Sequence, residues 1–351
     1  MSGQMHIDDI DTPALVLDLD VCERNIRKFQ RLFDEYGIGF RPHIKTHKIP
    51  ELARWQVDAG AVGITCQKLG EVEVMANAGL DNILLYYNIV GEPKLERLCR
   101  LSHECDLTVT ADTPVVTDAM GAAAVKQGAV INVLAELNSF IDRTGVPSVA
   151  ELVNLARHID RTPGLNLRGM ATYPTSRQSA DRIAEAVQAF DQAGLNREIV
   201  SGGGTPTAFE AEVVEGLTEH RAGTYIFMDR QCIDRGVATE ADCALQVLTT
   251  VVSNPVSHRA IIDGGTKTFS ADGDMPRGIV LDFPGAEIYQ TNEEHGYLDI
   301  GNCDPKPSIG DRIRVIPNHV CVTVNLHNQV YGCRGNEVER VWSVAARGLV
   351  Q

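Results

Sequence analysis

Eight short apolar runs, at residues 39–44, 61–66, 82–87, 107–110, 130–137, 167–173, 198–201 and 221–227, punctuate the first two thirds of the chain. Amphipathic segments fill the gaps between them. Leu152, Leu155, Ala156 and Ile159, and later Ile183, Ala186, Val187 and Phe190, stand at the i, i+3, i+4, i+7 spacing of a helix with one buried face. Eight strands alternating with helices predict an α/β protein built on a parallel (β/α)8 TIM barrel, with a doubly wound sheet as the competing architecture. At 351 residues and 44% hydrophobic content, the chain can bury a barrel core and still has residues for a second domain.

Beyond about residue 240 the texture changes. Runs rich in Val and Ile at 244–252, 259–262, 285–290, 312–316, 320–326 and 338–345 are separated by Gly, Pro, Asn and Asp, and no long helical period interrupts them. This predicts a mainly β C-terminal domain, to which the apolar residues 13–17 add a strand. The expected division is a barrel over 18–240 and a β domain made of 1–17 with 241–351.

A net charge of −15 argues against nucleic acid or an anionic membrane as partner, because either would want a basic face. An anion must therefore be held by a local site. Nine cysteines without tandem spacing, and no basic-then-apolar leader, predict a cytoplasmic protein with reduced thiols. No apolar run approaches the roughly 20 residues that span a bilayer.

Lys45, in Arg41-Pro42-His43-Ile44-Lys45-Thr46-His47, falls where the first strand gives way to a loop. An amine held there in a partly desolvated site is a candidate nucleophile towards a carbonyl; the alternative is an ordinary solvated charge. The seventh strand runs into Ser201-Gly202-Gly203-Gly204-Thr205-Pro206. Backbone N–H groups at such a run can approach an anion closely, Thr205 offers a hydroxyl, and a barrel commonly binds phosphate there; a plain connector is the other reading. Gly223 and Thr224, in Arg221-Ala222-Gly223-Thr224-Tyr225, stand where they supply the other side of the cradle. Lysine on strand one and an anion site after strand seven together suggest pyridoxal 5′-phosphate. Tyr173 closes the sixth strand, where its hydroxyl reaches a cofactor ring or its ring simply packs. Arg143 follows the fifth strand, as half of an ion pair with Asp142 or as a holder of a substrate or cofactor oxygen. In Pro317-Asn318-His319-Val320-Cys321, read as a strand, His319 and Cys321 share a face and form an imidazole–thiolate pair suited to zinc; a buried histidine beside a small apolar residue is the alternative. His295 is a base, a partner to another group, or an idle loop histidine.

Taken together, Asp11-Thr12-Pro13-Ala14, the Arg41–His47 stretch, Ile64-Thr65-Cys66-Gln67-Lys68-Leu69-Gly70-Glu71, the 201–206 run, Glu219-His220-Arg221-Ala222-Gly223-Thr224-Tyr225, Glu294-His295-Gly296 and Pro317-Asn318-His319-Val320-Cys321 resemble the D-serine dehydratase / D-threonine aldolase family. These are fold-type III pyridoxal-phosphate enzymes, similar in the barrel to alanine racemase. The resemblance implies Lys45 as the Schiff-base lysine, Ser201, Gly202, Gly203, Gly223 and Thr224 around the phosphate with Thr205 and Tyr225 beside them, Gln67 and Tyr173 near the ring, and His319 with Cys321 as ligands of a divalent metal, Zn or Mn. Arg143 and His295 fall on the substrate side. Three stretches depart from the family pattern: residues 140–145, residues 174–177, and Val322.

The implied activity is a lyase on a 3-hydroxy-D-amino acid, by elimination of water to a 2-oxo acid and ammonia. Retro-aldol cleavage to glycine and an aldehyde is the alternative, and amino-acid racemisation a more distant one. The His-x-Cys form resembles the dehydratase side. The resemblance also implies a homodimer.

Overall fold

The computed structural model describes residues 5–351, which form two compact units. One comprises Lys28–Lys45, Pro50–Gly223 and Leu349–Gln351; the other comprises the chain up to Arg27, Thr46–Ile49 and Thr224–Gly348.

The first unit is the barrel. Its eight parallel strands lie in the order Gly39–Phe40, Glu219–Arg221, Ile199–Gly203, Leu165–Tyr173, Ile131–Asn138, Leu107–Ala111, Ile83–Leu85 and Ile64–Cys66. The ends of that ladder meet: Val62 N donates to Phe40 O at 2.9 Å, Thr65 N to Pro42 O at 2.7 Å, and His43 bridges Thr65. Helix Val149–Arg161 shows how sequence makes the outer layer. The Ser148 hydroxyl accepts from Glu151 N to cap its start, and Leu152, Leu155, Ala156 and Ile159 are its buried face. Each of the larger side chains there contributes roughly 1.5–3 kcal/mol by leaving water.

Several barrel strands are shorter than the apolar runs that predict them, the second and third having only Ile64–Cys66 and Ile83–Leu85, and the first and eighth differ most. The first ends at Phe40, since Pro42 has no N–H for the ladder, and Ile44–Thr46 is a single 3₁₀ turn. The eighth is Glu219–Arg221 rather than 221–227, because Phe227 N and Met228 N fold back onto Thr224 O and wind Thr224–Ile226 into a 3₁₀ turn. Gly223 and Thr224 therefore follow the strand instead of lying within it.

The second unit is mainly antiparallel β. Its nine-stranded sheet has the path Glu287–Thr291, Gly296–Asp299, Arg259–Ile262, Leu245–Val256, Ala14–Asp18, Gln329–Arg334, Glu337–Ser343, with Arg312–Ile316 pairing both Leu245–Val256 and Ile279–Val280. The N-terminal strand Ala14–Asp18 joins this sheet, antiparallel to Leu245–Val256 and parallel to Gln329–Arg334. Strand Gln329–Arg334 escapes sequence reading because of Gly332, which looks like a break. A Cβ there would meet Leu19 Cδ2 and Trp342 Cζ3 at 2.9 Å, so glycine is required by packing.

Residues 320–326, expected as a strand, form instead the helix Val320–Leu326, with His319 at its N-cap. Two of its three valines face inward, Val320 and Val324 being fully buried, and the Thr323 hydroxyl bonds back to His319 O at 3.0 Å. Tertiary burial overrides the β preference of valine here. Among the described residues no helix is long and apolar enough to cross a membrane.

His220, on the eighth strand, is fully buried, stacks on Phe33 with centroids 4.9 Å apart, and donates from Nε2 to Gly204 O at 3.0 Å. Burial lowers its pKa from 6.5 to about 4, against a smaller opposing effect of the Gly204 bond. The unfolded chain therefore binds the extra proton between these values, so this contribution to stability is complete above pH 6.5 and lost as pH falls towards 4. The expected loss is about 2 kcal/mol between pH 7 and pH 5. Urea unfolding of wild type and His220→Phe at both pH values should show the variant's stability falling less by that amount; equal slopes would refute the assignment.

Candidate active site

Inside the barrel, charged residues on the strands satisfy one another. Arg41 Nε and Glu219 Oε2 form an ion pair at 2.7 Å, both side chains 5% exposed. Arg41 also donates to Asn82 O and Oδ1, each at 2.9 Å. Ser201 Oγ donates to the other Glu219 oxygen at 2.6 Å and accepts from Arg221, whose guanidinium donates to Thr172 O at 2.9 Å and covers the Tyr86 ring at 4.1 Å. Tyr86 and Thr144 both donate to Glu136 Oε1, at 2.8 and 2.7 Å. Burial raises the Glu136 pKa, and those two bonds oppose the rise. Burying these charges is tolerable only because each is paired. Arg41, Tyr86, Glu136, Glu219 and Arg221 went unassigned in the sequence, although charges inside otherwise apolar strands were a usable signal.

Lys45 lies half-buried in the turn Ile44–Thr46. Its backbone N–H points to His43 Nδ1 at 3.4 Å, so the imidazole proton is on Nε2, which donates to Gln67 Oε1 at 3.0 Å. Gln67 Nε2 in turn donates to Tyr86 O at 2.7 Å, which orients the carboxamide. Burial first, and the Lys45 charge second, push the His43 pKa well below its ordinary value, so this ring is neutral at physiological pH. Gln67, Tyr86, Glu136 and Arg143 line a cavity of about 560 Å³ in the barrel unit. Arg143 covers the Tyr173 ring at 4.5 Å.

The glycine run is tightly enclosed. A Cβ on Gly202 would lie 2.8 Å from Thr175 Oγ1, and one on Gly203 would lie 3.1 Å from Arg221 Nη2 and 3.2 Å from Tyr173 Cδ2. A Cβ on Gly204, at φ +132°, would lie 2.6 Å from Thr207 Oγ1. That hydroxyl is buried without a partner, and Thr205 beside it is buried. A backbone cradle next to an unsatisfied hydroxyl suits a phosphate. Ser201 can offer only its backbone, since its hydroxyl is committed to Glu219 and Arg221.

In the β unit, His319 Nδ1 donates to Asp229 Oδ2 at 2.8 Å, and Asp229 is fully buried. Asp229 also accepts from Val320 N at 3.2 Å and, through Oδ1, from Cys232 N at 3.0 Å, capping helix Arg230–Asp234. With Nδ1 held by Asp229, Nε2 is the ring nitrogen left to meet Cys321 or, once its proton is lost, a metal. His319 also hydrogen-bonds Cys321, so the pair meets even though the segment is a helix end. Burial lowers the His319 pKa, but the bonds to Asp229 and Cys321 outweigh it and bring it up to about 10. Thr46 Oγ1 and Thr224 Oγ1 approach Cys321 Sγ at 3.1 and 3.9 Å. Among the described residues no three His, Cys, Asp or Glu side chains converge as a metal-holding group, so an ion on this pair would keep open positions. Tyr225 is fully buried in the same unit, and His295 sits in an exposed turn where its carbonyl accepts from Asn292 N at 2.9 Å. Asp229, some 90 residues before His319, was not legible as its partner.

A parallel barrel with a half-buried lysine after its first strand and an enclosed glycine run after its seventh is the arrangement of an alanine-racemase-like barrel. The family model described as "Alanine racemase, N-terminal domain" matches residues 17–231, and that described as "Putative serine dehydratase domain" matches residues 244–333. A D-threonine aldolase of Arthrobacter sp. is 35% identical, covering 97% of this chain and 93% of that protein, and a 3-hydroxy-D-aspartate aldolase of Paracoccus denitrificans is 32% identical, covering 98% and 94%. The crystal structure of D-threonine aldolase from Filomicrobium marinum superposes with a TM-score of 0.93 at 32% identity, covering 99% of both chains. A metal-free Cys→Ala variant of D-threo-3-hydroxyaspartate dehydratase superposes at 0.89, with 31% identity over 97% of this chain and 99% of that one. The chain belongs to the D-serine dehydratase / D-threonine aldolase family of pyridoxal-phosphate-dependent lyases.

If Asp229 orients His319 for metal, Asp229→Asn should retain the helix cap while weakening metal affinity about 10- to 100-fold. Metal analysis after dialysis against a weak chelator checks this; wild-type retention by the variant would refute it.

Proposed function

We propose that this chain is a pyridoxal-phosphate- and metal-dependent lyase that removes water from a 3-hydroxy-D-amino acid, giving a 2-oxo acid and ammonia. Lys45 supplies the amine that binds the cofactor's aldehyde. The backbone of Ser201, Gly202 and Gly203 receives the phosphate with Thr205, Thr207 and Gly223; Gln67 and Tyr173 flank the ring. Thr224 and Tyr225, which follow Gly223 in sequence, complete the phosphate-side segment. Bound there, pyridoxal phosphate supplies an electron sink for the pair released at Cα. His319 and Cys321 hold a divalent metal, Zn or Mn, which supplies Lewis-acid polarisation of a hydroxyl. Arg143 orients the substrate carboxylate through its planar fork. The Lys45 amine would take the Cα proton, the 3-hydroxyl would leave as water, and a second water would then replace the nitrogen, releasing ammonia and leaving the 2-oxo acid. The protein acts as a homodimer in the cytoplasm.

The choice of dehydration rests on the His-x-Cys form of the pair His319 and Cys321, which resembles the dehydratase side of the family. Retro-aldol cleavage is the second reading, favoured by the names of the two similar aldolases. It needs the proton taken from the 3-hydroxyl instead of Cα, with the Cα–Cβ bond breaking.

Purified protein should be yellow, and Lys45→Ala should lose both the colour and all turnover. Assaying D-3-hydroxy amino acids for ammonia, 2-oxo acid and aldehyde separately decides the outcome: ammonia with 2-oxo acid supports dehydration, and aldehyde with glycine supports the second reading. Chelation should stop turnover while leaving the cofactor absorbance, because Lys45, Gln67, Tyr173 and residues 201–207 belong to the barrel unit, and of the proposed cofactor contacts only Thr224 and Tyr225 share the metal pair's unit. Full activity in metal-free protein would end the metal's role.

A further inference from the structure

The barrel cavity of about 560 Å³ contains two cations, Lys94 and Arg143. Among the described residues neither forms an ion pair with a carboxylate. Arg143 rests on the Tyr173 ring face, and the Lys94 ammonium, half-buried in the first turn of helix Glu92–Glu104, has no ion pair among the described residues. Glu92, two residues before Lys94, is taken by Lys126 at 3.0 Å, and Glu96, two residues after it, forms no ion pair with Lys94 among the described residues. In a chain with 47 acidic and 32 basic residues, a pair of uncommitted cations in one cavity requires a reason.

The remaining lining agrees with an anionic ligand. Asn88 Oδ1 is buried without a partner, and its carboxamide, turned over, presents N–H to a carboxylate oxygen. Glu136, the acidic member of the lining, has its Oε1 covered by the Tyr86 and Thr144 hydroxyls, and burial raises its pKa. The two hydroxyls occupy Oε1, so that oxygen is turned to its own partners and not to a second negative group.

We propose that the cavity selects a 3-hydroxy-D-amino acid with a second carboxylate on its side chain, as in 3-hydroxy-D-aspartate, and that Lys94 is the selecting residue. A monocarboxylic substrate uses one cation, and the bidentate guanidinium of Arg143 is the better match for the α-carboxylate. Lys94 then remains for the side-chain carboxylate. This inference rests on the lyase reading above and names the substrate class of that same site.

The test compares kcat/KM for 3-hydroxy-D-aspartate and D-threonine in wild-type holoenzyme, Lys94→Met and Lys94→Arg. Wild type should prefer the dicarboxylic substrate. Lys94→Met should lower that preference by about tenfold or more, chiefly through KM, and Lys94→Arg should keep most of it. A structural role for Lys94 would reduce both substrates together and leave the ratio in place. An unchanged ratio in Lys94→Met, or a wild type that prefers D-threonine, overturns the inference while the lyase reading stands. No turnover of either substrate overturns both.

Discussion

The buried carboxylate of Glu219 is the group on which the barrel's interior depends. One oxygen pairs with Arg41 beside the first strand and the other accepts from Ser201 on the seventh, so a single side chain on the eighth strand ties the two strands that flank it. Removing one member of a pair this enclosed leaves an uncompensated charge, at a cost of about 3–5 kcal/mol. Arg221 extends the same network through Ser201 to Tyr86 and Glu136, and so to the lining of the cavity. Stability and site geometry are thus set by one set of hydrogen bonds.

The β unit uses a carboxylate in a parallel way. Asp229 caps a short helix with one oxygen and with the other holds His319 Nδ1 and the Val320 N–H. A histidine free to rotate would lose part of any metal binding in ordering itself, whereas the His319 ring is already held by a buried carboxylate. That histidine belongs to the end of a helix instead of a strand, which alters how it meets Cys321 but preserves the meeting.

The barrel itself is permissive about chemistry, as this architecture generally is. What distinguishes the chain is which polar groups are committed and which are left over. Ser201 is committed, and Thr207 Oγ1 and Asn88 Oδ1 are left over, so the latter two mark where bound molecules would be felt.

The sequence by itself determined the features that rest on local periodicity. The alternation of apolar runs with amphipathic segments specified the barrel, helix Val149–Arg161 could be read from four side chains, and the N-terminal strand could be placed with the β domain. Pro42 and the glycine run also carried their meaning locally, through a missing N–H and a missing Cβ. Only the tertiary structure decided the rest. Arg41 and Glu219 are 178 residues apart, and their pairing exists because the first and eighth strands become neighbours on closure. Residues 320–326 have the composition of a strand, yet burial of Val320 and Val324 and the Asp229 bond to Val320 N favour a helix. Those contacts come from chain segments far away in sequence, and no local period encodes them.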